Sequence, residues 1–195
     1  MLDKFSVDSA LNNSFIEIGE YLYNKLKSEF INNRTIIFLC IGSDRSTGDS
    51  LGPLVGHNLK NFRNNSKNIY VYGSLDCPIH CQNLDDTLNK IYLNFDNPFI
   101  VAIDAALGAC QNVGKVLISD SPLLPGLALE KNLTPVGNIS LIGVVNISSK
   151  SQFIVLQNTR LNTVFHLAEA ISKGILYSIN KLIEYNSPSL FSNNI

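Results

Sequence analysis

The stretch TIIFLCIGSDRSTGDSLGP, residues 35–53, decides the fold. Thr35–Ile41 is a continuous apolar run bounded by Gly42. Such a run, rich in bulky and β-branched side chains, reads as a strand buried on both faces. A polar loop of Ser, Asp, Arg, Thr and Gly follows, and a helix pattern opens at Ser50. Pro53 falls in the first turn, where a missing N–H is harmless. Strand, loop and helix in that order open a βαβ unit. In open α/β sheets, ligands bind at the carboxyl ends of the strands. Asp49 therefore stands where such a fold does its work. A second apolar run, Phe99–Ile103, leads into Asp104 and Ala105. Two carboxylates at two strand ends are the centre of the reading.

Outward from this stretch, strands and helices alternate. Ser9–Phe30 carries Phe15, Ile18, Tyr21, Leu22, Leu26 and Phe30 at near-helical spacing, with Glu17 and Glu20 on the other side. This predicts an amphipathic helix ended by Asn32-Asn33. Leu51, Leu54, Val55, Leu59 and Phe62 give the helix after Ser50 its apolar face, and Asn64–Asn68 reads as a turn. A strand is expected at Ile69–Tyr72, then the loop GSLDCPIHCQN, then a helix from about Leu84 to Phe95 capped by Asn83 or Asp85. Asn97-Pro98 breaks that helix, and the next strand spans Phe99–Asp104. Lys115–Ser119, Ile139–Asn146 and Phe153–Gln157 read as further strands. Asp120–Pro135, with Pro122, Pro125 and Gly126, must be loop, and loops this long are often functional. Leu161–Tyr185 is the last long helix, and the tail after Asn186 is expected to fray. Neither a repeat nor a linker is visible, so residues 1–195 are read as one domain. The alternation predicts an α/β fold, a three-layer α/β/α sandwich with a mostly parallel, mixed central sheet.

Composition limits the function. The 195 residues are 45% hydrophobic and 16% charged, with a formal net charge of −1. That balance gives no sign of a nucleic-acid or membrane partner. No apolar run reaches the roughly 20 residues of a membrane helix, and residues 1–14 lack the apolar core of a signal peptide. A cytoplasmic protein is the default. Four cysteines, Cys40, Cys77, Cys81 and Cys110, do not form the spacing of a secreted disulfide framework.

Gly48-Asp-Ser-Leu51 resembles the block that names the GDSL esterases, with Ser50 as nucleophile. Five residues, Ser43–Thr47, separate it from Gly42 at the strand end, and the downstream Asp-x-x-His of that family is missing. A serine without a base is a poor nucleophile. The wider pattern fits elsewhere. Asp49-Ser-Leu-Gly-Pro53, then Gly73-Ser-Leu75, then Ala102-Ile-Asp-Ala105 resemble the fold family of hydrogenase maturation endopeptidases and the spore germination protease. CIGSDRSTGDSLGPLVG at residues 40–56, Pro78-Ile-His80, Pro135-Val-Gly137 with Ile139-Ser140, and LQNTRL at Leu156–Leu161 resemble the YyaC-type sporulation proteins. The resemblance covers roughly residues 35–180. It implies a phosphorylase/hydrolase-like fold, a peptidase activity, a protein substrate and the cytoplasm of a sporulating cell.

The chemistry agrees with that resemblance. Two carboxylates close in space do not readily both ionise; one keeps its proton while the other takes one from water. Asp49 and Asp104 are thus candidate catalytic residues for amide hydrolysis without a covalent intermediate. The bland alternative is that Asp49 caps its helix and Asp104 bonds loop amides. His80 is a candidate substrate contact or proton shuttle. Asp44, Arg45, Asn83, Asn158 and Arg160 are candidate substrate-binding residues near the same sheet end, with Arg45 suited to a substrate carboxylate. Against these, solvated turns and a helix cap are the plain readings. Hydrogenase maturation enzymes bind nickel through two acidic residues and a downstream histidine; here no loop histidine follows Asp104. Cys77-Pro-Ile-His-Cys81 is an incomplete zinc pattern. No cofactor is expected, although two carboxylates are donors that a hard divalent ion accepts. A non-catalytic peptide binder using the same cleft remains the rival, and a homo-oligomer is compatible with the sequence.

Overall fold

The computed structural model describes residues 5–60, 68–125 and 135–186. Six strands form one sheet: β1 (Phe5–Asp8), β2 (Ile36–Cys40), β3 (Ile69–Tyr72), β4 (Phe99–Gly108), β5 (Lys115–Ser119) and β6 (Ile139–Ile147). Their order is β1-β5-β6-β4-β2-β3. β3, β2, β4 and β6 run parallel, while β5 is antiparallel to both β6 and β1. Five helices surround it: α1 (Ser14–Ile31), α2 (Leu51–Leu59), α3 (Leu84–Asn94), α4 (Gln152–Gln157) and α5 (Leu161–Asn186). The sandwich expected from the alternation is the one observed.

Strand alternation explains the layers. Every residue of β2 is buried. Ile36, Phe38 and Cys40 join Val101 and Ile103 of β4 in a core with the apolar stripes of α1, α2 and α5. Ile37, Leu39, Ile100 and Ala102 face the other way, onto Leu84, Leu88 and Ile91 of α3. Successive side chains of a strand point to opposite faces, so a strand between two helical layers must be apolar throughout. That is why residues 36–40 carry no polar side chain other than a thiol.

α1 ends as its sequence says. Asn33 sits at φ +54, a left-handed conformation that Asn tolerates better than branched residues. Asn33→Val should cost about 1–2 kcal/mol and Asn33→Gly should not, as read by urea unfolding.

Four expectations need correction. Phe153–Gln157 is helix α4, not a strand. β6, the strand that precedes it, already has β4 and β5 on its two sides, and the run packs as a helix with Leu156 buried while Phe153 and Ile154 stay exposed. β1 escaped notice because it is four residues long and only Val7 points inward. α1 starts at Ser14 rather than Ser9, because Asp8 and Ser9 are held in a turn: Ala10 N–H donates to Asp8 Oδ1 (3.0 Å) and Ser9 Oγ to Gly114 C=O (2.6 Å). β4 does not stop at Asp104 but runs to Gly108. Of the long loop, Leu123 and Val136 form an antiparallel bridge at its base, and residues 126–134 lie outside the described residues. So do residues 64–67 of the expected turn and the tail 187–195. No helix among the described residues is long and apolar enough to cross a membrane.

Candidate carboxylate site

β2 ends one residue before β4 reaches Asp104. The last rung between them is Ile41 N–H to Ile103 C=O, 2.8 Å. Asp104 is therefore the first β4 residue beyond the shorter strand. By alternation with Ile100 and Ala102 its side chain lies on the α3 face. Its own Oδ1 accepts the Ala105 N–H at 2.7 Å.

Asp49 arrives by a tight reversal. After β2 the chain turns at Gly42, loops out through Asp44 and Arg45, and returns as a 3₁₀ turn at Gly48–Ser50. Ser43 N–H donates to the Asp49 C=O (3.0 Å) and Asp49 N–H to the Ser46 C=O (3.1 Å). Gly42 has φ +143, and a Cβ there would lie 2.1 Å from the Asp49 C=O. Only glycine permits both the conformation and the approach.

His80 comes from the opposite side. Gly42 N–H donates to the Ile79 C=O (2.7 Å), which ties the loop after β3 to the end of β2. Gln82 N–H donates to His80 Nδ1 at 3.3 Å. The neutral ring then carries its proton on Nε2. Asn83 holds this loop in shape: its Oδ1 accepts the His80 N–H (2.7 Å) and its Nδ2 donates to the Pro78 C=O (3.0 Å). It stands at the N-cap of α3 without a side-chain cap bond.

The electrostatics link these groups. Burial pushes the Asp104 carboxyl well above the usual carboxylate range, the charge of Asp49 pushes it further, and the Ala105 N–H opposes both. Burial also raises Asp49, against a backbone hydrogen bond from Ser43 and the nearby His80 ring. Both shifts run upward, the direction that lets one carboxyl keep its proton beside an ionised partner. A raised native value means that the folded state binds the Asp104 proton more tightly than the unfolded chain. Its contribution to stability is present below the ordinary carboxylate range and is lost as pH rises through the raised value. Asp104→Asn, whose amide resembles the protonated acid, should melt with wild type at pH 4 and above it at pH 8, as followed by thermal unfolding across pH.

The remaining sequence candidates sit farther out. Asp44 and Arg45 are exposed on the loop, the Arg45 N–H bonded to Ser43 Oγ at 3.3 Å. Asn158 and Arg160 are exposed at the α4–α5 junction, and Asn158 Nδ2 donates to the Ile154 C=O at 2.8 Å. This junction flanks the Asp49 turn, since a Cβ on Gly48 would meet Leu156 Cδ2 at 2.8 Å and Thr159 Oγ1 at 2.9 Å. Ser50 is buried, and its Oγ donates to the Thr47 C=O at 2.7 Å, so the hydroxyl closes a helical turn rather than facing a base. Sequence reading overlooked Ser46, whose Oγ is buried without a hydrogen-bond partner among the described residues. Nothing in the polar run SDRST distinguishes it.

The donor set does not fit the nickel that the hydrogenase-maturation likeness implies. No three His, Cys, Asp or Glu side chains among the described residues are grouped to hold a metal ion. All four cysteines are free; Cys40 is buried, and burial pushes its thiol up to about 12. Borderline-soft ions favour several imidazole or thiolate donors, and beside the two carboxylates His80 is not grouped with them into such a set among the described residues.

A curated relative, the "Uncharacterized protein YyaC" of Bacillus subtilis (strain 168), is 45% identical over 142 residues, 73% of this chain and 68% of its own. Among solved structures, a [NiFe] hydrogenase maturation protease HycI from Thermococcus kodakarensis KOD1 aligns over 78% of this chain and 99% of its own, at 18% identity and a TM-score of 0.44. The model of the family described as "Protein of unknown function (DUF1256)" matches residues 6–174, and the chain belongs to that family.

Proposed function

We propose that this protein is an endopeptidase that hydrolyses a protein substrate, with water activated between Asp49 and Asp104. The observation that carries the reading is the electrostatic pairing of two partly buried carboxyls, Asp104 where β4 passes the end of β2 and Asp49 on the turn that follows β2. The ionised carboxylate takes a proton from water as it attacks the scissile carbonyl. The protonated partner gives its proton to the leaving amine, and the two roles reset after release. His80, with Nε2–H as donor, polarises the substrate carbonyl or steadies the charged carboxylate. Arg45 and Asp44 on the loop, with Asn158 and Arg160 across the Asp49 turn, form the outer contacts to the substrate chain. The resemblance seen in the sequence supports a sporulating cell as the setting of this work.

The test is a proteome-wide comparison of new N-termini after spore-stage proteins are incubated with wild type or Asp49→Asn. Cleavages present with wild type and absent with the variant support the reading. Identical profiles, with the substrate still bound, favour the peptide binder instead. Because the chemistry runs through the chain's own carboxylates, EDTA should leave cleavage within about twofold, whereas a metal-dependent site loses its main charge stabilisation.

A further inference from the structure

The extension of β4 past β2 leaves a length of strand edge without a paired strand, beside the Gly48–Ser50 turn and starting at the residue after Asp104. β4 pairs with β6 from Val101 to Gly108, but with β2 only from Phe99 to Ile103. The direction of its backbone groups is fixed by the rungs on both sides. Phe99 N–H donates to the Thr35 C=O, and the Ile103 C=O accepts from Ile41, so odd residues face β2. Asn138 N–H donates to the Ile100 C=O, and Ser148 N–H to the Gly108 C=O, so even residues face β6. Ala105 and Leu107 therefore direct their backbone groups at the vacant side. The Ala105 N–H is taken by Asp104 Oδ1. Among the described residues, no turn or loop backbone bond falls on the Ala105 C=O or the Leu107 N–H and C=O, and no strand pairs with them on that side. All four residues Ala105–Gly108 keep part of their surface open.

We infer that this edge seats the substrate as an added β-strand, so that the substrate class is an extended, unstructured polypeptide segment. The inference rests on the peptidase reading and adds how the substrate is held. An unpaired edge is a ready template for another chain, and main-chain pairing gives affinity without a fixed sequence. Four residues of strand span about 13 Å, enough to pair four or five substrate residues. A chain laid there runs directly past Asp104. A folded helix or a small molecule does not offer N–H and C=O groups at the strand repeat, so neither matches the edge. The Asp104 Oδ1 contact gives the edge a further property: the carboxyl that takes part in the chemistry also occupies the N–H at the start of the track.

The experiment uses full-length Asp104→Asn protein, which keeps the edge but not the chemistry. A displayed library of random decapeptides is selected on it, and enriched sequences are resynthesised with single backbone N-methyl groups. Methylation at alternate positions should weaken binding at least about tenfold, the worth of one well-made hydrogen bond, with intervening positions unaffected. Leu107→Pro, which removes the central edge N–H, should lose binding to the same degree. Failure to enrich any peptide, or indifference to the parity of methylation, overturns the inference. So does a dimer in sedimentation that Leu107→Pro dissolves, since the edge would then belong to a second copy. Parity-dependent binding of peptides that wild type never cleaves would overturn the peptidase reading alone. Cleavage without parity dependence would overturn the docking alone. The methyl scan decides the matter even if Leu107→Pro does not fold.

Discussion

Asp104→Asn should lower kcat for the protein's substrate by about 10²–10⁴, the range expected when a positioned acid or base is removed, while KM changes little. The amide is nearly the same size as the carboxyl and still accepts the Ala105 N–H through its oxygen. What it loses is the proton that must be handed over and taken back. Asp49→Asn should fall in the same range, and the double variant should be little worse than either single one, because residues acting as one unit are not additive. Kinetics on a cleaved peptide identified with wild type would read this directly. A variant that keeps more than a tenth of wild-type kcat contradicts the assignment.

Gly56→Ala should be the most damaging alanine substitution among the described glycines. Gly56 lies in α2 where the helix crosses the end of β3, and a Cβ there would stand 1.7 Å from the Gly73 C=O. The obstacle is backbone, not a side chain that can swing away. Gly73 itself has φ +88 and packs on the Cys40 C=O, so it cannot yield. Overpacking of this kind is expected to reach about 3 kcal/mol or more, roughly 6–12 °C in Tm for a chain of this size. Gly114→Ala is the control. Gly114 has φ +85 but nothing within 4 Å of an added Cβ, so it should carry only backbone strain of about 1–2 kcal/mol. The two melts together separate steric contact from conformational cost.

These glycines also show what the sequence made legible. Residues 35–53 announced strand, loop and helix because β2, buried on both faces, carries a signal that needs no partner, and β3 and β5 lie where their apolar runs placed them. The two carboxylates stood out as candidates because each acid follows a run that had to be a strand. The run FIVLQ at 153–157 misled because strand preference is decided by what a run packs against, which a short apolar window does not show. The overhang of β4 was invisible because Ala105–Gly108 looks like loop composition, and its pairing is set by β6, more than 30 residues later. Asn83 was read as a substrate contact or cap. Its role in shaping the His80 loop depends on a turn that spacing alone does not reveal. The need for glycine at 56 and 73 arises only once α2 has been laid across β2 and β3.

Catalysis by the two carboxyls requires that Asp49 and Asp104 titrate as one pair. Carbon-13 labelling of the aspartate side chains, followed by NMR titration of their carboxyl carbons, measures this most directly. The account predicts that Asp104 titrates well above an ordinary aspartate in wild type, and that Asp49→Asn moves it downward while leaving it raised by burial. An Asp104 curve that is unchanged by Asp49→Asn, or that lies in the ordinary carboxylate range, would contradict it.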